Sequence, residues 1–139
     1  MQVVRPETWD KPLPDPDATE RPFYQAAARG ELRFQQCPDC AHRQFYPRAL
    51  CTVCGAVPEW ATASGRGSIY TFTILRQYHA EHFRDELPYV VAMIELEEGV
   101  QMFGTLTDCD PANVRIGMPV EAYAVEVEDG IAIPFWRPA

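Results

Sequence analysis

Hydrophobic and polar side chains alternate with the period of a β-strand over much of the second half of the chain. β-Branched and aromatic residues dominate 69–75, and the later alternating segments are separated by turn-forming pairs such as Asp129-Gly130. The strands predicted from this pattern are 69–75, 88–96, 100–106, 119–128 and 131–136. Five short antiparallel strands with no long helical stretch among them are typical of a small Greek-key barrel of the OB type. An SH3-like barrel, with a similar number of strands, stays open as the alternative.

The residues before the barrel follow a different pattern. Residues 1–17 contain four prolines and no hydrophobic period, which predicts an extended arm that is either disordered or laid across a partner. Thr19 can cap a helix of about three turns, with Pro22 in its first turn and Gly30 just past its end. The predicted organisation is therefore an arm and helix over 1–32, a cysteine-rich segment over 33–61 and the barrel over 62–139.

Four of the five cysteines fall into two Cys-x-x-Cys pairs between the helix and the barrel. Ten residues separate Cys37 and Cys40 from Cys51 and Cys54. Each pair can direct both sulfurs at one ion, and two such knuckles complete a tetrahedral site of four sulfurs that favours Zn²⁺ or a single iron. The separation is shorter than the usual gap of about 15–20 residues, but it suffices for a tight two-stranded ribbon. Gly55 follows the second pair, as a tight turn requires.

Two other chemistries compete for these cysteines. The first is a pair of disulfides, and the second is a thioredoxin-like redox pair, which needs only one Cys-x-x-Cys in a βαβ context. The beginning of the chain lacks the apolar segment of a secretory signal, so we expect a cytoplasmic protein whose thiols stay reduced. Four thiolates leave no open coordination position, so the expected metal is one structural zinc ion, with iron as a substitute.

The net charge of −8 bears on the class of partner. Residues 1–61 carry seven basic and eight acidic side chains, whereas residues 62–139 carry five basic and twelve acidic ones, with no lysine among them. A groove for single-stranded nucleic acid needs Lys and Arg interleaved with aromatic residues, so an acidic barrel disfavours that partner. The uncharged hydrophobic run Tyr89–Ile94 is far shorter than the roughly 20 residues of a membrane span. We therefore expect neither nucleic acid nor membrane as a partner.

The remaining reactive side chains form no recognisable active site. Cys109 is most simply a small buried hydrophobe. His79 begins a His-x-Glu motif like that of zinc deaminases, but both cysteine pairs precede it, so we reject that chemistry. Together with His82 it is predicted to lie in a solvated polar loop, and the third histidine, His42, lies in the cysteine-rich segment. The segment 64–67 resembles half of a phosphate loop, but lacks its Gly-Lys-Ser ending and therefore predicts a turn.

The order and spacing of many short motifs are more specific than any one of them. They are Pro22-Phe23-Tyr24, Gly30-Glu31-Leu32, Cys37-x-x-Cys40, Tyr46-Pro47-Arg48, Cys51-x-x-Cys54-Gly55, Trp60, Ser64-Gly65-Arg66-Gly67, Pro88-Tyr89, Glu98-Gly99-Val100, Ile116-Gly117-Met118-Pro119-Val120 and Pro134-Phe135. From about residue 19 to the last residue, this series resembles domain-of-unknown-function family 35. Members of that family are acyl-CoA-associated proteins with a rubredoxin-like zinc ribbon and an OB-fold.

The resemblance implies a small non-catalytic partner subunit. Members of the family associate with thiolase-like enzymes, namely thiolases, acyltransferases, hydroxymethylglutaryl-CoA synthases and side-chain aldolases of steroid breakdown, and some pair with MaoC-like enoyl-CoA hydratases. They join enzymes or complete an acyl-CoA channel, while the partner supplies the nucleophilic cysteine and its base. Because such partners are dimeric, a two-plus-two assembly is expected. Only the four metal ligands Cys37, Cys40, Cys51 and Cys54 carry over as site residues.

Three hypotheses for function follow. An accessory subunit for acyl-CoA chemistry explains the acidic barrel, the missing catalytic set and the proline-rich arm. Its candidate partner contacts are Phe23, Tyr24, Trp60, Phe135 and Trp136, and its candidate contacts for CoA phosphates are Arg43 and Arg48. The alternatives are an OB-fold that binds single-stranded nucleic acid, which predicts salt-dependent retention on DNA, and a redox protein with an iron centre, which predicts a red colour.

Overall fold

Two β-sheets and one α-helix account for most of the regular structure, which the computed structural model describes over residues 1–139. The elements are β1 (Gln2–Val4), α1 (Arg21–Ala28), β2 (Leu32–Gln36), β3 (Arg43–Gln44), β4 (Glu59–Ala63), β5 (Arg66–Leu75), β6 (Tyr89–Leu96), β7 (Gln101–Leu106), β8 (Pro119–Glu128) and β9 (Ile131–Pro138). Short 3₁₀ helices cover Glu81–Glu86 and Pro111–Asn113. No helix in the structure has the length and apolar character needed to cross a membrane.

Strands β5 to β9 close into a barrel. Their order is β8-β5-β6-β7-β9, and antiparallel pairing of β8 with β9 returns the sheet to its first strand. The prediction of a mainly β protein with an N-terminal helix, a cysteine ribbon and a five-stranded OB-fold is therefore confirmed. The strand ends differ slightly from the prediction, since β5 begins at Arg66 and β9 continues to Pro138.

A close approach of two backbones at Gly67 allows β5 to belong to two sides of the barrel. β5 pairs with β8 over Arg66–Ser68 and with β6 from Gly67 to its end. A Cβ on Gly67 would lie 2.8 Å from Ile94 Cγ2 on β6, a distance that van der Waals repulsion forbids. Glycine in a strand commonly marks such a barrel corner. The predicted turn into this strand is present at Gly65, whose φ is +82°.

The barrel and the segment before it share one hydrophobic core. Trp136 on β9 is fully buried at its centre, and Gly104 on β7 leaves the space that the indole ring fills. Phe23 from α1 and Phe34 from β2 belong to the same cluster of buried residues as the barrel side chains. The ribbon and barrel therefore cannot be separated without exposing apolar surface to water.

The cysteine-rich segment forms its own three-stranded antiparallel sheet, in the order β3-β2-β4. β2 pairs with β4 over its full length, from Leu32 opposite Ala63 to Gln36 opposite Glu59. The first cysteine pair follows β2 directly, and the second lies in the long connection between β3 and β4. The sheet thus brings both pairs to the same end of the ribbon.

Helix α1 differs from the prediction in its length and in its cap. It spans eight residues rather than about three turns, and Thr19 does not cap it. Instead, Asp17 Oδ1 accepts hydrogen bonds from the backbone N–H groups of Thr19 and Glu20, at 2.8 and 3.0 Å. A carboxylate two residues earlier satisfies the free donors at this end, so a hydroxyl cap is not needed. The predicted ends at Pro22 and Gly30 are correct, since Pro22 lies in the first turn and Gly30 has a φ of +82°.

The N-terminal arm lies on the barrel of its own chain, so it is not disordered, and its contact with a partner stays a prediction. β1 pairs in parallel with β8 over Gln2–Val4, and the N-terminal amino group donates to the Gly30 carbonyl at 2.7 Å. Further along, Arg5 pairs with Glu126, and the Lys11 ammonium lies 2.5 Å from the Glu86 carboxylate. Three paired strand residues are too few to produce a hydrophobic period, so the contact could not be seen in the sequence.

Candidate metal centre

The structure brings the four paired cysteines to one point at the end of the ribbon. All four Sγ atoms lie within 4.8 Å of one another. Cys37 and Cys54 approach to 3.4 Å and Cys40 and Cys51 to 3.6 Å, and no two cysteines are joined in a disulfide. Cys37 and Cys51 are buried, whereas Cys40 and Cys54 face solvent. The cluster therefore sits at the surface, with one sulfur of each pair covered by protein.

The two cysteine pairs adopt the same turn. In the first, Ala41 N–H donates to the Cys37 carbonyl at 3.0 Å, and Ala41 has a φ of +62°. In the second, Gly55 N–H donates to the Cys51 carbonyl at 3.0 Å, and Gly55 has a φ of +79°. A left-handed conformation costs about 1–2 kcal/mol for a residue with a Cβ, so Ala41 carries strain that Gly55 avoids. Because Ala41 keeps this conformation although it is not a glycine, the rest of the first turn must fix its backbone.

The arrangement fits a tetrahedral metal ion. Zinc–sulfur bonds of about 2.3 Å place the sulfurs of a tetrahedral site about 3.8 Å apart, close to the separations found here. Thiolates are soft ligands that suit zinc or a single iron. Four protein ligands fill the tetrahedron and leave no position for a substrate or water.

Backbone donors and crowding set different pKa values at these sulfurs. The backbone N–H groups of Cys54 and Val53 lower the pKa of the Cys51 thiol to about 6, and Val53 N lies 3.4 Å from the sulfur. At Cys54 the Ala56 N–H lowers the pKa, but the neighbouring thiols, Cys37 first, and burial outweigh it and raise the pKa to about 12. The pKa values of Cys51 and Cys54 therefore move in opposite directions, and a cation held between the sulfurs would favour the thiolate form of both.

Two buried glutamines, which the sequence pattern did not reveal, hold the second cysteine pair in place. Gln35 Oε1 accepts from Arg48 N–H at 2.8 Å and from Gln44 Nε2 at 2.9 Å, and Gln35 Nε2 donates to the Arg48 carbonyl. Gln44 Oε1 in turn accepts from Thr52 N–H at 3.0 Å, next to Cys51. No sequence signal marks them, because Gln35 alternates with Leu32 and Phe34, and the period of a strand would place it on the face away from the core.

Other predicted residues lie near the cysteine cluster or along the ribbon. The His42 ring and the Thr52 hydroxyl, one on each cysteine turn, lie 3.2 Å apart. Arg43 donates to the Glu98 carbonyl, and with Arg48 it lines a polar cavity of 340 Å³ on the face of the ribbon. The two arginines named as phosphate contacts therefore share one site.

The remaining predicted residues are dispersed. Phe23 and Trp136 are buried in the core, while Trp60, Tyr24 and Phe135 are half-buried. Cys109 is half-buried beside the core rather than fully enclosed, because it follows the end of β7 in a connecting loop. The two remaining histidines are exposed: His79 lies just before the 3₁₀ helix Glu81–Glu86, and His82 lies within it.

Two cysteine turns on a three-stranded ribbon, joined to a five-stranded OB barrel, define a class of small proteins with a metal-binding ribbon. Two family models match the chain: the ChsH2 rubredoxin-like zinc ribbon domain over residues 25–57 and the ChsH2 C-terminal OB-fold domain over residues 60–125. A DUF35 domain-containing scaffold protein from Methanocaldococcus jannaschii is 38% identical over 98 residues, which cover 68% of this chain and 69% of that protein. The chain belongs to the DUF35 family, and its four clustered cysteines lie in the segment that matches the zinc ribbon model.

The same unit occurs in a larger protein and in a solved complex. The alpha subunit of the 3-oxo-4,17-pregnadiene-20-carboxyl-CoA hydratase of Mycobacterium tuberculosis is 35% identical over 133 residues, which cover 89% of this chain. The chain spans 42% of that subunit and 36% of a probable enoyl-CoA hydratase alpha subunit from Thermomonospora curvata. The solved Ltp2-ChsH2(DUF35) aldolase contains a chain 28% identical, with a TM-score of 0.79 over 91% of this chain and 98% of that one.

Proposed function

We propose that this chain is a non-catalytic accessory subunit of a thiolase-like enzyme and helps to assemble or channel acyl-CoA chemistry, as in lipid or steroid metabolism. The partner would be a thiolase, an acyltransferase or a side-chain aldolase. The observation that best supports the proposal is the match to almost the whole of a chain from an aldolase complex. The relatives named as scaffold proteins support the same role.

The metal would serve this role by stabilising the ribbon. We assign Cys37, Cys40, Cys51 and Cys54 as the ligands of one structural zinc ion, with iron as a substitute during expression. Bound zinc supplies charge neutralisation for four thiolates and no reactive position. The surrounding residues supply the rest, because the backbone donors at Cys51 and the two glutamines orient the ligands before an ion arrives.

The three parts of the chain would then have separate tasks. Residues 1–32 brace the barrel, residues 33–61 form the zinc ribbon, and residues 62–139 form the OB-fold. An aromatic groove of 220 Å³ lies where the three parts meet, and it is the surface we assign to the partner. It includes three of the contact residues predicted from the sequence, Phe23, Tyr24 and Phe135.

The groove has the character of a protein interface. The rings of Phe23 and Phe45 lie 5.0 Å apart and those of Phe45 and Tyr46 4.6 Å apart, which makes a rigid aromatic floor. At its edge Phe103 is 50% exposed and Tyr46 48% exposed. Aromatic side chains are enriched at the centres of interfaces, and a handful of such residues carries most of the binding energy.

The acyl-CoA would contact this chain at most through its phosphates. Arg43 and Arg48 line the polar cavity of the ribbon, beside Tyr46, which also lines the aromatic groove. A phosphate held by these arginines would therefore lie next to the bound partner. A MaoC-like hydratase is the second candidate partner, favoured by the hydratase subunits that contain this unit. Nucleic acid is disfavoured by the excess of acidic residues in the barrel.

The test is capture of the partner by a tagged chain expressed in its native host, with matched variants. We expect a thiolase-like enzyme to co-elute in near-equal amounts and to be lost with Phe103→Ser. Tyr70→Ser is the control, because Tyr70 is also an aromatic strand residue and is 53% exposed, but lies outside the groove. Loss of one interface anchor weakens binding by about 2 kcal/mol or more. If wild-type chain and both variants elute without any acyl-CoA enzyme, the proposed function is wrong.

A further inference from the structure

Strand β7 has one edge that the barrel hardly uses. β6 pairs with β7 along its whole length, but β9 meets it only where Leu106 lies opposite Trp136. The hydrogen bond from the Thr107 N–H to the Trp136 carbonyl, at 2.8 Å, belongs to this single contact. In a parallel ladder every second residue of a strand bonds to the same neighbour, so the next donor on β9 toward Phe103 would be Pro134. Because proline has no N–H, the pairing stops there and the barrel is open between the rest of β7 and β9.

The backbone groups on this open edge belong to Phe103 and Thr105. In an antiparallel pair, residues alternate between exchanging hydrogen bonds with the neighbouring strand and facing away from it. The Leu96 N–H donates to the Val100 carbonyl at 2.9 Å, which places the positions bonded to β6 at the even-numbered residues of β7. The N–H groups of Phe103 and Thr105, and the Phe103 carbonyl, therefore face the open side.

Strand β7 has none of the features that usually keep an exposed edge from pairing with another chain. Its six residues, Gln101–Leu106, include no charged side chain and no proline, and its pairing with β6 has no bulge. Phe103, at the middle of the open edge, is 50% exposed. Proteins commonly protect free edges with lysine, proline or a bulge, because unpaired backbone groups bind strands of other molecules. This edge is therefore suited to accept one further strand.

We propose that an extended segment of the partner enzyme, a terminal tail or a long loop, adds a strand to β7 at Phe103 and Thr105. The aromatic groove follows this edge, since residues 102–105 of β7 and 133–135 of β9 both line it. At about 30 Å³ for each non-hydrogen atom, its volume of 220 Å³ holds about seven such atoms, as many as one valine and one leucine side chain contain. Alternate residues of a strand point to the same face, so the segment would carry two apolar residues separated by one other residue.

The surroundings of the edge select a single strand rather than a second sheet. Phe23, Phe45 and Tyr46, from α1 and the ribbon, line the same groove. A second copy of this chain would bring β6 together with its own β7, and two strands do not fit a groove of this size. The groove shares three lining residues with the largest cavity, of 630 Å³ between the N-terminal arm and the barrel, so a single segment has room to continue past the edge. The inference rests on the proposed function for the identity of the partner and adds the way in which that partner binds.

Two variants at one position separate the backbone hydrogen bond from the side chain. Thr105→Pro removes the outward N–H and leaves the bonds to β6 in place, whereas Thr105→Val keeps the N–H and the branched shape. We expect Thr105→Pro to bind the captured enzyme at least threefold more weakly than Thr105→Val does, as the loss of one hydrogen bond implies. If Thr105→Pro does not fold, Phe103→Pro compared with Phe103→Ala makes the same test. Equal binding by the proline variant and its matched variant would contradict the inference.

The deciding experiment measures hydrogen exchange residue by residue, in the free chain and in the captured complex. We expect exchange at the Phe103 and Thr105 amides to slow at least tenfold in the complex, and exchange at Met102 and Gly104, which are already bonded to β6, to change much less. Packing of side chains alone would slow neighbouring amides alike.

The possible results distinguish this inference from the proposed function. Unchanged exchange at Phe103 and Thr105 in a captured complex would overturn the added strand and leave the proposed function standing. Failure to capture any acyl-CoA enzyme would overturn both. Slow exchange at both amides in the free chain, together with a dimeric mass, would identify a second copy as the occupant and contradict the assignment to the partner.

Discussion

Gln35 and Gln44 show how a few polar side chains position a metal site. Gln35 is 4% exposed and Gln44 7% exposed, and between them they bind backbone groups at Arg48, Leu50 and Thr52. This segment between β3 and Cys54 has no strand of its own, so side-chain amides provide the bonds that a sheet would supply elsewhere. The second cysteine turn is therefore placed by residues that are not themselves ligands.

Removing one of these amides should loosen the metal site. Gln35→Leu removes the partners of the Arg48 N–H and carbonyl and one of the Gln44 hydrogen bonds, and we expect a loss of about 1–3 kcal/mol in the free energy of unfolding. The ion should also pass faster to a chelating dye, measured by the colour of the dye complex. Gln36→Leu is the matched control, because it makes the same change at the next residue of β2 without touching the network. Equal effects of the two substitutions would show that the network has no special role.

Gly104 is the second position at which one residue determines local structure. A Cβ there would lie 2.6 Å from Trp136 Nε1, in a core where the indole is fully enclosed. Gly104→Ala should therefore reduce the free energy of unfolding by about 1–3 kcal/mol, measured by urea denaturation. A double-mutant cycle supplies the control: in a Trp136→Leu background the alanine should cost less. The same cost in both backgrounds would exclude a clash with the indole as the cause.

At the scale of elements, we expect the ribbon to depend on a bound ion and the barrel to depend on packing. Strands β2 and β4 pair over five residues, but the connection between β3 and β4 is closed mainly by the cysteine cluster and the glutamines. The barrel has five paired strands around a continuous apolar core. If the cysteines bind zinc as proposed, the free energy of metal binding stabilises the ribbon, whereas burial of apolar surface stabilises the barrel.

Removal of a ligand or of the ion should accordingly affect the ribbon first. Cys40→Ser, at an exposed ligand position, should abolish stoichiometric zinc binding, measured by plasma mass spectrometry of the purified protein. Hydrogen exchange should then speed up over residues 32–63 more than over the barrel strands, because only the ribbon loses its cross-link. Cys109→Ser is the control and should keep one zinc per chain, since Cys109 lies outside the cluster. Full zinc content in Cys40→Ser would refute the ligand assignment.

The elements also show which features the sequence could predict. The barrel strands and the cysteine turns are local patterns, so alternation and spacing were enough to place them. Thr19 looked like a helix cap, but Asp17 accepts from the backbone N–H groups of Thr19 and Glu20 and forms the turn before the helix, because short polar side chains at neighbouring positions can all bond to nearby backbone groups. The arm and the cavity beneath it depend on contacts between residues far apart in the chain, such as Lys11 with Glu86. No local pattern records such contacts.

At the scale of the whole molecule, one chain combines a ribbon, a barrel and an arm. The aromatic groove, which we assign to a protein partner, shares Thr105, Ile133 and Phe135 with the cavity between the arm and the barrel. The groups that catalyse acyl-CoA cleavage or condensation, an activated cysteine with a base, are not found together here. His79 and His82 are exposed in a loop, and Cys109 donates only to the Asp110 carbonyl beside it. In the function proposed here, the partner would supply such groups.

The most direct test of the proposed function compares the turnover of acyl-CoA substrates in three samples: the captured partner enzyme alone, this chain alone and the reconstituted pair. Native mass spectrometry of the pair gives its stoichiometry. We predict no turnover by this chain alone, a higher rate for the pair than for the partner, and a complex of two copies of each chain with one zinc per copy of this one. Turnover by this chain alone, or a partner that neither binds it nor changes rate in its presence, would contradict the central claim.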